Sequence, residues 1–386
     1  MSLEWIEGVP ADWRISKAQF VLDYQKRDVQ EDDEIVTAFR DGQVTLRRNR
    51  RTDGFTMAEK EIGYQHICEG DLVVHSMDGG FGAIGVSDSC GKASPVVHAY
   101  TSSLCDLRFV AYQLRAAVKA GWIAALAKGI RVRSTQFDRP ALASLNIAYP
   151  TVETQQRIAD YLDRETAEID AAVADLDKYV ELLEKRRRVI IVDGFNDPVY
   201  NPVMQRLKFL TISEDHRRIP IESGDRVDMA GKYPYYGASG IIDYVNDYLW
   251  DGEKRLILSE DGANLVMRNH PVAFVADGQY WVNNHAHVLR CADGIPPELV
   301  AMAIEVTSIA HLITGSAQPK LTAAAMGEVE FMFPLSTADQ RALLETLRPE
   351  MHEIDSLIAK STKLRDLLLK RRSVLITEVV TGRKQV

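Results

Sequence analysis

Three short patterns in this 386-residue chain invite a chemical reading. Gly80-Phe-Gly82-Ala-Ile-Gly85 has the spacing of a dinucleotide-binding turn, where glycines bring the backbone against a pyrophosphate at a helix N-terminus. That chemistry needs a helix to begin at the turn. The residues that follow, VSDSCGKASP, carry Gly and Pro, so a glycine-rich strand turn is expected instead. Asn196-Asp-Pro-Val-Tyr200 faintly echoes the Asn/Asp-Pro-Pro-aromatic motif of amino-methyltransferases. It lacks the second proline and an accompanying βαβ unit, and reads as part of a linker over 193–202. His285-Ala-His287 could aim two imidazoles from one strand face at a metal, but no Cys or carboxylate cluster accompanies them, so packed or hydrogen-bonded histidines are expected. The chain has no GxxxxGK[ST] loop. No lysine follows an acidic residue by two positions, so the (Asp/Glu)-x-Lys nuclease signature is absent. No catalytic, cofactor or metal residue is expected in this chain.

What remains are residues that bind rather than react. LRRNRR supplies Arg47, Arg48, Arg50 and Arg51; if it is a strand, Arg48 and Arg50 share one face and Arg47 and Arg51 the other. KGIRVRSTQ supplies Arg131, Arg133 and Ser134, and GSAQPKLT supplies Gln318 and Lys320 at the corresponding place later in the chain. Arg and Gln can pair with guanine and adenine edges, while Lys usually meets phosphate or guanine. YYGASG offers Tyr236 and Ser239, with Tyr235 beside them, and Arg217-Arg218 is a further phosphate candidate. Each has a plainer alternative: a solvated turn for the arginines, core packing for the tyrosines.

These residues must be held by something larger. A chain of this length is expected to form two or more domains. It is 46% hydrophobic and 26% charged, ordinary for a soluble globular protein, and carries a net charge of −9. No apolar run is long enough for a membrane span, no signal peptide is visible, and Cys68, Cys90, Cys105 and Cys291 form no CxxC pair; reduced thiols in a cytoplasmic protein are expected. The most acidic segment is 196–333, with 11 Lys and Arg against 18 Asp and Glu, so any cations that meet DNA there must be clustered.

The chain also repeats itself. Pro150 and Gln156-Arg157 match Pro334 and Gln340-Arg341, while Glu168-Ile169-Asp170 and Lys185-Arg186-Arg187 match Glu353-Ile354-Asp355 and Lys370-Arg371-Arg372 one residue further on. That shift places an inserted residue near Pro349, a proline expected to kink its helix. Leu162, Ile169, Leu176, Leu183 and Ile190 recur every seven residues, as do Leu347, Ile354, Leu368 and Leu375 with Ser361 breaking the series, and Thr151 and Ser336 are the N-caps. The spacing predicts two long helices that pair antiparallel and hold apart two modules rich in short β-runs. The expected order is a module over 1–150, a helical region and linker over 151–195, a module over 196–333 and a helical region over 334–386.

YPTVETQQRIADYLDRETAEIDAAV, FGAIGVSDSCGKASPVVHAY, YPYYGASGIIDYV, DGA, NNHAHVLR and SAQPKL, in this order and with this repeat, resemble the specificity subunit of a Type I restriction–modification enzyme over essentially the whole chain. The resemblance implies an α+β chain whose two globular α/β target-recognition domains are separated by two long helices forming an antiparallel coiled coil. It implies no catalysis in this chain. Each domain would read half of a bipartite double-stranded DNA target, and the helices would dock two adenine-methyltransferase subunits and set the half-site spacing. S-adenosylmethionine is expected on those partners, with ATP and Mg on a restriction–translocase subunit where one is encoded. Two other readings stay open on the residues alone: a bipartite DNA-binding adaptor acting without a methyltransferase, and a coiled-coil scaffold whose modules bind protein.

Overall fold

A computed structural model describes residues 8–50, 61–123 and 137–386. The chain divides into two compact units, Met1–Asp177 with Lys363–Val386, and Lys178–Thr362.

The first unit contains β1 (Arg14–Lys17), β2 (Asp23–Gln25), β3 (Val36–Ala38), β4 (Val44–Leu46), β5 (Gln65–Ile67), β6 (Leu72–His75), β7 (Ile84–Val86), β8 (Gly91–Ala93), β9 (Val97–Thr101) and β10 (Asn146–Tyr149). Its central sheet is antiparallel in the order β2-β9-β6-β7. The strand β6 reads Leu-Val-Val because both of its faces are covered. Leu72 and Val74 enter the main core, while Val73 points to a second cluster with Val36, Val44 and Ala99. The main core is closed by the helix Leu107–Lys119. Asp106 caps it by accepting from the Arg108 and Phe109 amides, and it buries Phe109, Val110, Leu114 and Ala117.

The second unit contains β11 (Pro202–Arg206), β12 (Thr211–Ser213), β13 (Ala230–Gly237), β14 (Gly240–Val245), β15 (Trp250–Asp251), β16 (Arg255–Ser259), β17 (Ala273–Ala276), β18 (Gln279–Val282), β19 (Ala286–Cys291) and β20 (Glu330–Pro334). The sheet β12-β19-β16-β17 repeats the connectivity of the first unit. So does the division of the central strand: Leu256 and Leu258 face the main core, and Ile257 a second cluster with Trp250 and Tyr280. A further sheet, β14-β13-β18-β15, has a parallel β13–β18 pair. The helix Pro297–Val306 takes the place of Leu107–Lys119. The modules therefore share a fold where their sequences do not.

Two long helices, Val152–Asn196 and Thr337–Val380, follow the last strand of each module. In the first unit Ile158, Leu162 and Ile169 pack in one core with Leu375, Ile376 and Val379; in the second, Leu183, Ile191 and Phe195 pack with Leu343, Leu347 and Ile354. The early part of one helix thus meets the late part of the other in each unit, which is antiparallel pairing. Leu176 and Ile190 are half-buried along the same seam.

Two expectations are corrected. The linker expected at 193–202 is helical up to Asn196, because Phe195 is buried and Gly194 lets Leu343 and Leu347 approach closely. Pro349 does not end its helix, which runs on to Val380; it is solvent-exposed, as is Glu345, whose carbonyl lacks a helical donor and can be hydrated. Nor does an insertion fall near Pro349. Thr151 and Ser336 cap the two helices, and Gln155 and Gln340 are the buried glutamines whose amides donate to the carbonyls of Pro150 and Pro334 at 2.9 Å. The caps and the glutamines are 185 apart and the prolines 184, so the extra residue is Leu335, at the strand–helix junction. The constant offset then carries Ile158 to Leu343, Leu162 to Leu347, Ile169 to Ile354 and Ile191 to Ile376, all of them buried.

Candidate nucleic-acid interface

The LRRNRR stretch is not a strand. Arg47–Asn49 form one turn of 3-10 helix after β4, so the two-face alternation expected of the arginines does not occur. Arg47 donates to Thr37 Oγ1 at 3.3 Å, Arg48 pairs with Glu34 at 2.5 Å, and Arg50 pairs with Asp41 at 2.7 Å while lying over the Phe39 ring. Arg48 remains mostly exposed and keeps donors for another acceptor. Arg51, Arg131, Arg133 and Ser134 lie outside the described residues. The glycine-rich stretch is a turn, as expected: Gly79–Phe81 form a 3-10 turn, Gly82 has φ of 104°, and β7 follows. Gly85 packs so closely on the Gly42 carbonyl that no side chain fits there, which explains the glycine without a cofactor.

In the second unit the candidates fall into separate groups. Arg217 is a structural ion-pair residue. It donates to Glu253 at 3.0 Å and Glu214 at 2.8 Å and lies 5.0 Å from the Trp250 ring centre. Burial pushes Glu214 up, but bonds from Arg255, Trp250 and Arg217 outweigh it and leave the carboxyl below its usual range. Tyr236 is half-buried, its ring 5.6 Å from Phe274 and 5.8 Å from Tyr280.

Arg218 and Lys320 meet at Glu260, directly after β16, and hydrogen bonds of the neighbouring Pro319 and Ala238 tie the loops that carry Gln318 and Ser239 to the same strand end. Arg218 donates to Glu260 at 2.6 Å and to the Ala286 carbonyl at 2.7 Å. Lys320 reaches the other Glu260 oxygen at 3.1 Å, and the backbone joins Leu321 to Glu260 and Gly262 to Pro319. Ser259 Oγ donates to the Ala238 carbonyl, which fixes the turn carrying Ser239. Burial raises Glu260, and the bonds from Arg218 and Lys320 overcome it, so its carboxyl sits below the ordinary range. Arg218 is only 13% exposed, whereas Lys320 is 50% exposed. Gln318 and Ser239 are exposed as well, so three of the four present polar groups to solvent.

Asp215, Glu260 and His287 bring ligand atoms within 4.8 Å of one another, the geometry of a possible cation site. The donor set does not fit one. His287 Nδ1 faces Asp215 at 2.6 Å and Nε2 faces the Leu321 carbonyl at 2.9 Å, so neither ring nitrogen offers a free lone pair. Arg218 and Lys320 already supply the cations. His285, which the sequence placed beside His287 as a second ligand, pairs with Asp261 at 2.9 Å instead.

Residues 209–359 match the family described as Type I restriction modification DNA specificity domain. A putative type I restriction enzyme specificity subunit of Haemophilus influenzae is 31% identical over 120 residues, a match that covers 31% of this chain and 30% of that relative. In that comparison the chain spans under a third of the relative's length. A chain solved for the structural basis of complex assembly and conformational transition of a type I R-M system superposes with a TM-score of 0.66 at 12% identity, covering 96% of this chain and 98% of its own. That likeness establishes the fold. The type I S subunit from M. genitalium gives a TM-score of 0.49 at 16% identity over 96% of this chain and 98% of its own. Among the described residues no helix is long and apolar enough to cross a membrane.

Proposed function

We propose that this chain is the non-catalytic DNA-specificity subunit of a Type I restriction–modification enzyme, with residues 1–150 and 196–333 each reading half of a bipartite duplex target. Its exposed Arg48, Ser239, Gln318 and Lys320 support a DNA-facing loop surface. The partners in this reading are two methyltransferase subunits, which carry S-adenosylmethionine, and a restriction–translocase subunit with ATP and Mg where one is encoded.

The observation that carries the reading is a repeated apolar stripe. Tyr179, Leu182 and Val189 are 42%, 53% and 57% exposed, and their counterparts 185 residues on, Leu364, Leu367 and Val374, are 49%, 54% and 46% exposed. Steps of three and seven residues keep each trio along one helix face, on the solvent-exposed flank of the buried seam. Two equivalent apolar faces suit two copies of one partner. A scaffold with unlike partners gives no reason for the duplication.

Methylome sequencing with residues 1–150 exchanged for those of another family member tests the DNA half: one half of the methylated motif should change. A change in both halves, or in neither, would sink it. Leu182→Glu with Val189→Glu tests the partner half, and should reduce the co-purifying methyltransferase from two copies to one.

A further inference from the structure

We propose that the first unit contains a binding site for a phosphate-type oxyanion, in a cavity where Arg115 is the central ligand. The cavity measures about 770 Å³ and its charged lining is Arg40, Arg115, Lys119 and Arg372 against Asp41 and Asp170. Both carboxylates are already engaged: Asp170 with Arg372 at 2.8 Å, and Asp41 with Arg50 at 2.7 Å. Arg40 pairs with Asp78 at 2.7 Å. Arg115 has no hydrogen bond or ion pair among the described residues; its contact is the face of Tyr112, 5.3 Å away.

A half-buried guanidinium with five donors and no acceptor is costly, and most arginines so placed have a carboxylate or phosphate partner. Burial and the neighbouring Arg372 both hold Arg115 below its usual value, which is the same cost in another form. The side chain is not there for want of room elsewhere. Gly42 lacks a Cβ, and the guanidinium occupies the space one would fill. A tetrahedral oxyanion would take two parallel bonds from Arg115 and the charge of Lys119 and Arg372.

The second unit shows what a self-sufficient version looks like. At the ninth residue of the helix, where the first unit has Arg115, it has Glu305, whose carboxylate accepts from the Val272 and Ala273 amides at 2.7 Å. The cavity beside it, about 750 Å³, sets Glu181, Glu184, Glu298 and Glu305 against its lysine and arginines. The anion site therefore belongs to the first unit and does not depend on the DNA-reading assignment.

A DNA phosphodiester and free phosphate share this chemistry. The test uses the full chain, unfolded thermally in inorganic phosphate and in chloride of equal ionic strength. Phosphate should raise the Tm saturably, by about 3–6 °C at ten times its dissociation constant. Arg115→Gln should abolish that response and, by removing an unpaired charge, unfold no lower than wild type in chloride. Lys119→Gln, a solvent-exposed change that leaves folding intact, should weaken phosphate several-fold. Displacement of phosphate by a short duplex would support the site with DNA as its source, and absence of displacement would support it with the free ion. A wild-type Tm indifferent to phosphate, or an Arg115→Gln protein that still responds, would overturn it.

Discussion

Replacing Arg218 by methionine separates a structural cation from a DNA-facing one. Its guanidinium is 13% exposed and donates to Glu260 at 2.6 Å and to the carbonyls of Ala286 at 2.7 Å and Asp215 at 3.1 Å. Methionine keeps much of the volume and removes every donor. Glu260 would keep only Lys320 at 3.1 Å and stay close to Asp215 in a shielded site. Breaking a fully buried pair from one side costs about 3–5 kcal/mol; with slight exposure, about 3 kcal/mol is expected here. For the 185 residues of Lys178–Thr362 that is a Tm loss of roughly 6–12 °C. The acid limb gives an independent sign. Glu260 and Asp215 both titrate below their ordinary range, so their contribution is complete above a pH of about 4 and is lost as the pH falls through the lowered folded values. Without Arg218 that loss moves to higher pH. Urea and thermal unfolding measure the stability, and DNA titrations at several salt concentrations measure the slope, which should not change. A Tm within about 2 °C of wild type, together with a salt slope reduced by about one, would refute the structural role and make Arg218 a phosphate ligand.

Lys320→Ala should show the opposite profile: little change in Tm, because the lysine is half exposed, and weaker DNA binding with the salt slope lower by about one. An unchanged slope would remove Lys320 from the interface. The β5–β8 register ends at Ile67 opposite Gly91, so the next pair is Cys68 opposite Cys90, and the Glu69 amide already donates to Cys90 Sγ at 3.3 Å. Opposed antiparallel residues lie within disulfide reach. Glutathione disulfide should therefore remove two titratable thiols from the folded chain without cross-linking it to another, and Cys68→Ser should prevent the loss; retention of both thiols would show that the register does not continue.

The long helices were legible because heptad spacing and a second copy point the same way. Their relative register was not. Gln156 and Gln340 are identical in type, but Gln155 is the one that is buried on a proline carbonyl, and a hydrogen bond outranks a letter match. Arg217 and Arg218 look like phosphate ligands because sequence shows adjacent cations and hides Glu253 and Glu260, which arrive from either end of β16. Arg115 drew no notice for the converse reason: its helix brings Lys119 one turn on, but Arg40 and Arg372 join them only through the fold. Gln318, Lys320 and Ser239 converge on one end of the second unit as loop residues should, although SAQPKL and YYGASG are about eighty residues apart in the chain.

The division of the chain bears on its birth at the ribosome. The second unit is one uninterrupted run, Lys178–Thr362, and has all its parts once that run has emerged. The first unit does not. Leu375, Ile376, Val379 and Val380 belong to the same core as Leu72, Phe109 and Ile158. Some two hundred residues must be translated between Asp177 and that closing segment, about 10–40 s at ordinary rates of synthesis. During that interval the part made first waits with an open apolar face, and the part made second can finish before it. Translation order and folding order are thereby reversed, and chaperone engagement should concentrate on the N-terminal module until the last helix is delivered.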